Sequence, residues 1–532
     1  MLVSRLNKVS VYIQNNPWLL VFFLLGAAIR ILYIGSIPGG LNQDEASIGY
    51  DAYAILHYGV DRNGVHLPIH LIAWGSGQNA LYAYLSMPFI WLFGLTPMSV
   101  RAVSLIMGLL GMIVFYLVAQ QLFTSKAAGI AAMFFIAINP WHIMMSRWAL
   151  ESNLFPTLIL FSVYFLLKSF QNPRWSYGCT ILLALSLYAY GTAYFFVPVF
   201  ALATAILLLY RRALKFRTMV WNGVLFLFLA LPILLFVIIN RLKLQSLETP
   251  FFSIPRLTRP RMEQVTSVFS GELFHTILDH LRDFLHLMSS GNDGLLWNSI
   301  SPYGYAYPIA LPFVLIGLVV MLRALLKRDR VENAQIVILL WLLVSVLMAF
   351  VTNVNINRIN VIFFPVILLL VTGFMWLSQK VKVIGVLSVA AFSLFFVLFS
   401  HSYFNDFPEK IGPAFYDSIG EAIQYASDES AGNIYVTDKV NMPYIYVLFY
   451  EKINPNDFLT TVKYSNPGAA FQKVKSFGRY VFVLGSKDIV PGEIGAYIYW
   501  NGDSIPAWSE NYKTKRFANY TVVITGGDLQ RR

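Results

Sequence analysis

The sequence predicts an α-helical polytopic membrane protein with about eleven transmembrane helices and a C-terminal extracytoplasmic α/β domain. Three observations predict it. Only 12% of the 532 residues are charged and 57% are hydrophobic, whereas a soluble domain carries roughly 25% charged residues. Apolar runs recur near the ~20 residues that a helix needs to cross ~30 Å of hydrocarbon. Charge thickens after about residue 401, where the pattern changes to short strands and an amphipathic helix. The expected domains are therefore 1–400 in the membrane and 401–532 outside it.

In chain order the expected spans are approximately 18–35, 98–122, 127–140, 152–170, 176–190, 192–210, 218–239, 306–326, 335–351, 359–377 and 383–400. The first run has no convincing small-residue cleavage site and further spans follow, so it reads as a retained helix. Orientation follows from Lys and Arg in short loops. With Arg5 and Lys8 inside, the inner loops carry Lys126, Lys168, Arg174, Arg211, Arg212, Lys215 and Arg217, then Arg323, Lys327, Arg328, Arg330, Lys380 and Lys382. The short outer loops hold little beyond Arg62, Arg147 and Arg358, and an odd span count leaves the C-terminal domain outside.

Two outer loops are long. The first, about 36–97, holds a helix at Ala46–Tyr58 and an apolar stretch, Ala80–Phe93, broken by Pro88; both read as juxtamembrane helices lying along the surface. The second, about 240–305, has Pro250, Pro255 and Pro260, then a helix at Glu272–Met288. After His401, Pro413–Ser427 reads as a helix, and Asn433–Thr437, Tyr480–Leu484 and Tyr520–Thr525 as short buried strands. Asn466, Pro467 and Gly468 mark one turn, and Gly526 with Gly527 another. This domain shows no Gly-rich phosphate loop and no nucleophile elbow.

The net charge of +12 would suggest nucleic acid in a soluble protein. Here the cations mark cytoplasmic loops, and anionic lipid-like substrates are a further use for them; no nucleic-acid partner is expected. Cys179 is the single cysteine, so no intramolecular disulfide forms.

Four places carry candidate chemistry. Asp44 and Glu45 follow the first span. One acid could take a proton from an acceptor hydroxyl while its neighbour orients it or holds a metal; equally, the pair suits the first turn of the following helix. Arg147 and Glu151 precede the fourth span; they could pair four residues apart on a helix, or supply a phosphate ligand and a second acid. Asn357 and Arg358 open the tenth span, with Pro365 further in. A guanidinium there matches phosphate oxygens, or snorkels to the interface. Tyr188, Tyr190 and Tyr194 form an interfacial belt or the wall of a sugar or prenyl site, and Gln78 with Asn79 could bond sugar hydroxyls. All eight histidines fall on the outer side, where His275, Asp279, Asp283 and His286 could share one helix face as metal ligands. The loop charges place Asp44, Arg147, Glu151, Asn357 and Arg358 at the same membrane face.

This arrangement resembles the polyprenyl-phosphate-sugar-dependent glycosyltransferases of the GT-C fold. They include protein O-mannosyltransferases, lipid A aminoarabinose transferases and relatives in glycosyltransferase family 39. The matching features, over about residues 15–400, are Asp44-Glu45 with its following loop, Arg101 at the outer start of the second span, Arg147 to Glu151, and Asn357-Arg358 with Pro365. The resemblance implies that Asp44 is the catalytic base, that Glu151 lines the active site and that Arg358 binds the lipid phosphate; Arg101 joins the substrate-binding candidates. One departure is Gly77, Gln78, Asn79, Ala80 and Leu81, where family members often have a His-Pro-Pro-Leu-like segment.

The expected enzyme is thus a hexosyl- or pentosyltransferase with a polyprenyl monophosphate sugar as donor. Its acceptor is a protein, lipid or cell-envelope polysaccharide hydroxyl. A divalent metal ion is a candidate cofactor. Rival readings are a glycan polymerase or ligase using a lipid diphosphate, a transporter or flippase, and a non-catalytic scaffold. A transporter would place ionisable groups near mid-span, where this chain has almost none.

Overall fold

The computed structural model describes residues 16–123, 125–259, 273–326, 332–482 and 494–526. Arg5, Lys8, Pro260, Glu272, Lys327, Arg328, Arg330, Leu484 and Gly527, used above, lie outside the described residues. Seven described helices are long and apolar enough to cross a membrane: Pro97–Leu122, Glu151–Ser169, Ala193–Tyr210, Phe216–Arg241, Asn333–Val351, Ile356–Lys380 and Lys382–Ile411. Shorter apolar helices, Pro17–Ile31, Lys126–Ile138, Trp175–Ser186 and Ala310–Leu326, occupy the other four expected positions. Their outward sides are apolar, with Trp18, Leu202, Phe228 and Val386 each more than half exposed, which suits a lipid surface and not water. The chain is a multi-pass membrane protein.

Contacts divide the chain into two compact units that alternate along the sequence. One comprises Met1–Leu32, Ser104–Ile233 and Gln264–Phe404; the other comprises Tyr33–Val103, Leu234–Glu263 and Asn405–Arg532.

The first unit is a helix bundle held by small residues at crossings. A Cβ on Gly317 would strike the carbonyl of Leu369, and one on Gly373 would strike that of Phe313. The helices Ala310–Leu326 and Phe363–Lys380 therefore meet backbone to backbone, a close approach that only glycine allows. At Gly26 in the first helix a Cβ would meet the end of the Met112 side chain and, less closely, Ala137.

In the second unit the Gln43–Tyr58 helix packs against the helices Leu81–Phe93 and Tyr444–Glu451. The hydroxyl of Tyr446 donates to the Leu41 carbonyl at 3.0 Å and that of Tyr50 to the Ile453 carbonyl at 2.6 Å. The expected break at Pro88 does not occur: Leu81–Phe93 is continuous with Pro88 inside it and ends at Gly94, φ +73°. Proline costs one backbone hydrogen bond, a loss that packing against neighbouring elements offsets in apolar helices. Short antiparallel pairs β1 (His70–Leu71) with β2 (Gln78–Asn79), and β3 (Leu247–Glu248) with β4 (Ser253–Ile254), order the two long loops. The two loops join where the Ile69 amide donates to the Ser253 carbonyl at 3.0 Å.

The same unit carries a mixed seven-stranded sheet built from β5 (Asn433–Val436), β6 (Lys463–Tyr464), β7 (Val474–Phe477), β8 (Tyr480–Val481), β9 (Gly495–Trp500), β10 (Lys513–Arg516) and β11 (Tyr520–Thr525), in the order β10-β11-β9-β5-β8-β7-β6. Strand β5 runs parallel to both β8 and β9, and the other pairs are antiparallel. The helix Ile419–Glu429 packs on β9 and β11. It begins six residues later than the expected Pro413, because the preceding segment turns at Tyr416 and Ser418, both with positive φ. Tyr497, Tyr499 and Val523 form a core with Tyr435, Trp508 and Tyr512.

Candidate functional site

In the second unit the carboxylate pair divides its work. Asn42 is the N-cap of the Gln43–Tyr58 helix, and Glu45 closes a capping box by accepting from the Asn42 amide at 3.1 Å. Glu45 also receives Arg101 through two bonds, from Nε at 2.8 Å and from Nη2 at 3.0 Å. Arg101 is fully buried and continues to the carbonyls of Ile34, Pro38 and Gly40 at 3.2, 2.9 and 2.7 Å. Glu45 and Arg101 therefore tie the chain leaving the first helix to the start of the next, as a forked guanidinium does when its charge is matched. Asp44, one residue earlier, is half-buried; it is not the N-cap, and its Oδ1 accepts from the Trp74 indole at 3.3 Å.

Gln78 and Asn79 sit buried in β2, where Gln78 accepts from the Ser47 hydroxyl at 3.0 Å. Beneath the Trp74 side of the helix lies a buried group that sequence reasoning missed: Asp51, Asp61 and Arg62. Arg62 is 3.7 Å from Asp51, and its guanidinium lies over the Trp74 ring at 4.5 Å. Burial, then the Asp51 charge, push the Asp61 carboxyl up to about 7. Burial likewise raises Asp51, with Arg62 opposing it. The spacing of Asp61-Arg62 marks a loop in the sequence and nothing more.

In the first unit Arg147 is fully buried. Its Nη1 donates to the Ile29 and Arg30 carbonyls at 2.7 and 2.9 Å, its Nε to the Tyr403 hydroxyl at 3.1 Å, and its guanidinium lies against the Tyr403 and Phe404 rings. These contacts satisfy the C-terminal carbonyls of the first helix. Glu151 is buried and opens the 3₁₀ turn Glu151–Asn153. Residues 146–150 are not helical, so the four-residue helical spacing expected between Arg147 and Glu151 is absent.

Asn357 and Arg358 are half-buried at the start of the helix capped by Asn355, whose side chain accepts from the Arg358 amide at 2.9 Å. Asp293 anchors the same turn by accepting from the Ile356 amide at 2.8 Å. Asn360 donates to the Ser152 carbonyl at 2.8 Å, bringing this turn beside the Glu151 turn. Among the described residues the Arg358 guanidinium makes no hydrogen bond or ion pair. Tyr188 donates to the Leu229 carbonyl at 2.7 Å, and Tyr190 and Tyr194 are half-buried nearby in sequence.

Sequence reasoning also missed Arg30 and His142. Arg30 donates to the Gly26, Ala137 and Ile136 carbonyls and meets His142 Nδ1 at 2.7 Å. An arginine only donates, so Nδ1 accepts and the imidazole proton sits on Nε2. Arg30 lies inside an apolar run, and that placement was the signal available. Among the described residues no group of three or more His, Cys, Asp or Glu side chains could hold a metal ion. His275, Asp279, Asp283 and His286 do lie on one helix, Leu273–Ser290, with all four exposed.

Residues 79–237 match the family described as dolichyl-phosphate-mannose-protein mannosyltransferase. No curated protein matches the chain. Among solved structures, ArnT from Cupriavidus metallidurans bound to undecaprenyl phosphate aligns with 12% identity and TM-score 0.58, over 96% of this chain and 99% of that one. An Archaeoglobus fulgidus oligosaccharyltransferase in complex with Zn and sulfate aligns with 13% identity and TM-score 0.51, over 81% of this chain and 61% of that one. AglB from the same organism, with an inhibitory peptide and a dolichol-phosphate, aligns with 12% identity and TM-score 0.50, over 82% and 64%. The expected GT-C fold is borne out: the chain has the ArnT-like GT-C fold, and residues 79–237 carry the mannosyltransferase-family sequence pattern.

Proposed function

We propose that the chain is a glycosyltransferase that moves a sugar from a polyprenyl monophosphate donor to an acceptor hydroxyl on the extracytoplasmic face. Three findings support this reading. The fold is shared with proteins solved with undecaprenyl phosphate and dolichol-phosphate. The family pattern over 79–237 is that of a dolichyl-phosphate-mannose-dependent enzyme. The Arg358 guanidinium is half-buried, with no hydrogen bond or ion pair among the described residues.

The acceptor oxygen attacks the anomeric carbon as Asp44 takes its proton, the bond from that carbon to the phosphate oxygen breaks, and polyprenyl phosphate leaves. Arg358 neutralises the charge that develops on the phosphate. Direct displacement inverts the anomeric centre. Asn357, Gln78, Asn79, Tyr188 and Tyr190 are the remaining candidates for holding donor or acceptor, and Glu151 for lining the site. No step is assigned to a divalent ion.

The observation that carries the assignment of the base is the contrast between the two adjacent acids. Glu45 commits its carboxylate to the capping box and to Arg101, whereas Asp44 gives the cap only its backbone amide, which donates to Asn42 at 3.0 Å, and its carboxylate is half-buried beside Trp74. General base catalysis contributes about 10²–10⁴-fold in rate. Asp44→Asn keeps the shape and the helix start, so turnover of a defined polyprenyl-phosphate sugar by the purified protein should fall by that order while the fold persists. Full turnover in this variant would remove Asp44 as the base. Turnover of a lipid diphosphate donor alone would select the polymerase or ligase reading instead.

A further inference from the structure

The Trp74 loop is built with unusual care for a surface connection. Ala73, Gly75 and Gly77 all have positive φ (49°, 106° and 93°), a conformation that costs energy at Ala73. Trp74 between them is only 5% exposed. Its carbonyl accepts from the Gln472 amide at 2.9 Å, and Tyr444 meets its ring edge-on at 6.0 Å. One face of the indole carries Arg62, 4.5 Å from guanidinium carbon to ring centroid.

Arg62 is 1% exposed, and its Nε, Nη1 and Nη2 make no hydrogen bond among the described residues. A buried guanidinium without hydrogen bonds is costly. What it keeps is the Asp51 charge at 3.7 Å and its place over the Trp74 ring; a desolvated cation on an indole face is among the stronger ring contacts. Asp51 in turn accepts from the Arg62 amide at 3.1 Å, which fixes where the arginine starts. The chain of contacts runs Asp51 to Arg62 to Trp74, and the indole N–H ends it on Asp44 Oδ1 at 3.3 Å.

We infer that the Arg62–Trp74 stack is a positioning device for Asp44: Arg62 clamps the indole plane, and the indole N–H holds the carboxylate in one orientation for proton transfer. The inference rests on Asp44 being the base. Trp74 and Arg62 are positioning residues, not catalytic ones. A side chain at Trp74 selected for packing alone would not need the N–H.

The test is a cycle of four proteins, wild type, Trp74→Phe, Asp44→Asn and the double variant, with kcat, KM for the lipid-linked sugar and melting temperature measured for each. Phe keeps an aromatic face for Arg62 and removes the donor together with the five-membered ring that carries it. Losing a hydrogen bond to a charged group corresponds to about a tenfold to hundredfold loss. The expected result is that loss in kcat for Trp74→Phe, with KM close to wild type, a melting temperature lowered by the same amount in the single and the double variant, and no further loss in kcat when Trp74→Phe is added to Asp44→Asn. Three outcomes overturn the inference: wild-type kcat in Trp74→Phe, a loss confined to KM, or losses that multiply in the double variant. Asp44→Asn alone reports separately on the base, so wild-type turnover there overturns the proposed base and this inference with it.

Discussion

At the scale of single residues, three of the arginines seen at the ends of the early helices do different work from Arg358. Arg30, Arg101 and Arg147 are fully buried, and each is occupied by main-chain carbonyls from chain segments distant in sequence. Such groups shape the chain, and removing any one would strand buried carbonyls or a carboxylate. Arg358 is half-buried and has no such partner among the described residues. Arg358→Ala should therefore leave the melting temperature near wild type and weaken binding of polyprenyl phosphate by an amount on the order of 2–5 kcal/mol, the range for truncating one partner of a desolvated charge pair. Titration of the purified protein with the lipid phosphate checks this, and unchanged affinity would reduce Arg358 to an interfacial anchor.

At the scale of elements, the crossing of Ala310–Leu326 with Phe363–Lys380 depends on having no side chain at Gly317 and Gly373. Gly317→Ala places a methyl against the Leu369 carbonyl, and backbone cannot yield as a side-chain tip can. Overpacking of this kind costs roughly 1–3 kcal/mol. A lower melting temperature in detergent is expected, and wild-type stability would contradict so close a crossing. The loop at Asp61 makes a different prediction. Its carboxyl holds a proton more tightly in the folded chain, up to about 7, than in the unfolded one, near 3.9. Between those values the folded state binds more protons, so the contribution of Asp61 to stability falls as pH rises from about 4 to about 7. Buried His70, lowered to about 4 by desolvation, acts in the opposite sense over part of that range. The wild-type melting temperature minus that of Asp61→Asn isolates the carboxyl, because Asn still accepts from the Asn63 and Val65 amides. That difference should become less favourable to wild type between pH 5 and 7; a flat difference would show that Asp61 titrates normally.

At the scale of the whole molecule, orientation follows from loop charge alone: Lys126, Lys168, Arg174, Arg211, Arg212 and Lys215 mark one side. We propose that this side is cytoplasmic and that residues after about 401 are outside. A reporter that works only on the extracytoplasmic face, fused after Ser402, should be active. A reporter that works only in the cytoplasm, active at the same junction, would reverse the sidedness of every candidate residue.

What the sequence alone determined is what short-range physics encodes. Hydropathy over windows of about 20 residues marked the seven described helices that are long and apolar enough to cross a membrane. The fold family was legible from Asp44-Glu45, Arg101, Arg147 to Glu151 and Asn357-Arg358 taken in order. β11 was read with its bounds, because an unbroken run of β-branched residues from Thr521 to Thr525, between an aromatic and a Gly-marked turn, signals a buried strand locally. Strand β9, parallel to β5 and antiparallel to β11, was missed although Asn501-Gly502 marks a turn at its end, because its place in the sheet is defined by pairing with strands distant in sequence. Only the tertiary structure decided which charges are structural. Arg101 and Glu45 are 56 residues apart, and Arg147 reaches carbonyls 117 and 118 residues away. Partners at such separations leave no periodic trace, because a buried guanidinium can be satisfied by the main-chain carbonyl of any residue type, so the residue that receives it is not written in the sequence. The same holds for Trp74: its stack on Arg62 and its bond to Asp44 join residues 12 and 30 positions apart through a loop whose positive-φ turns bring them together.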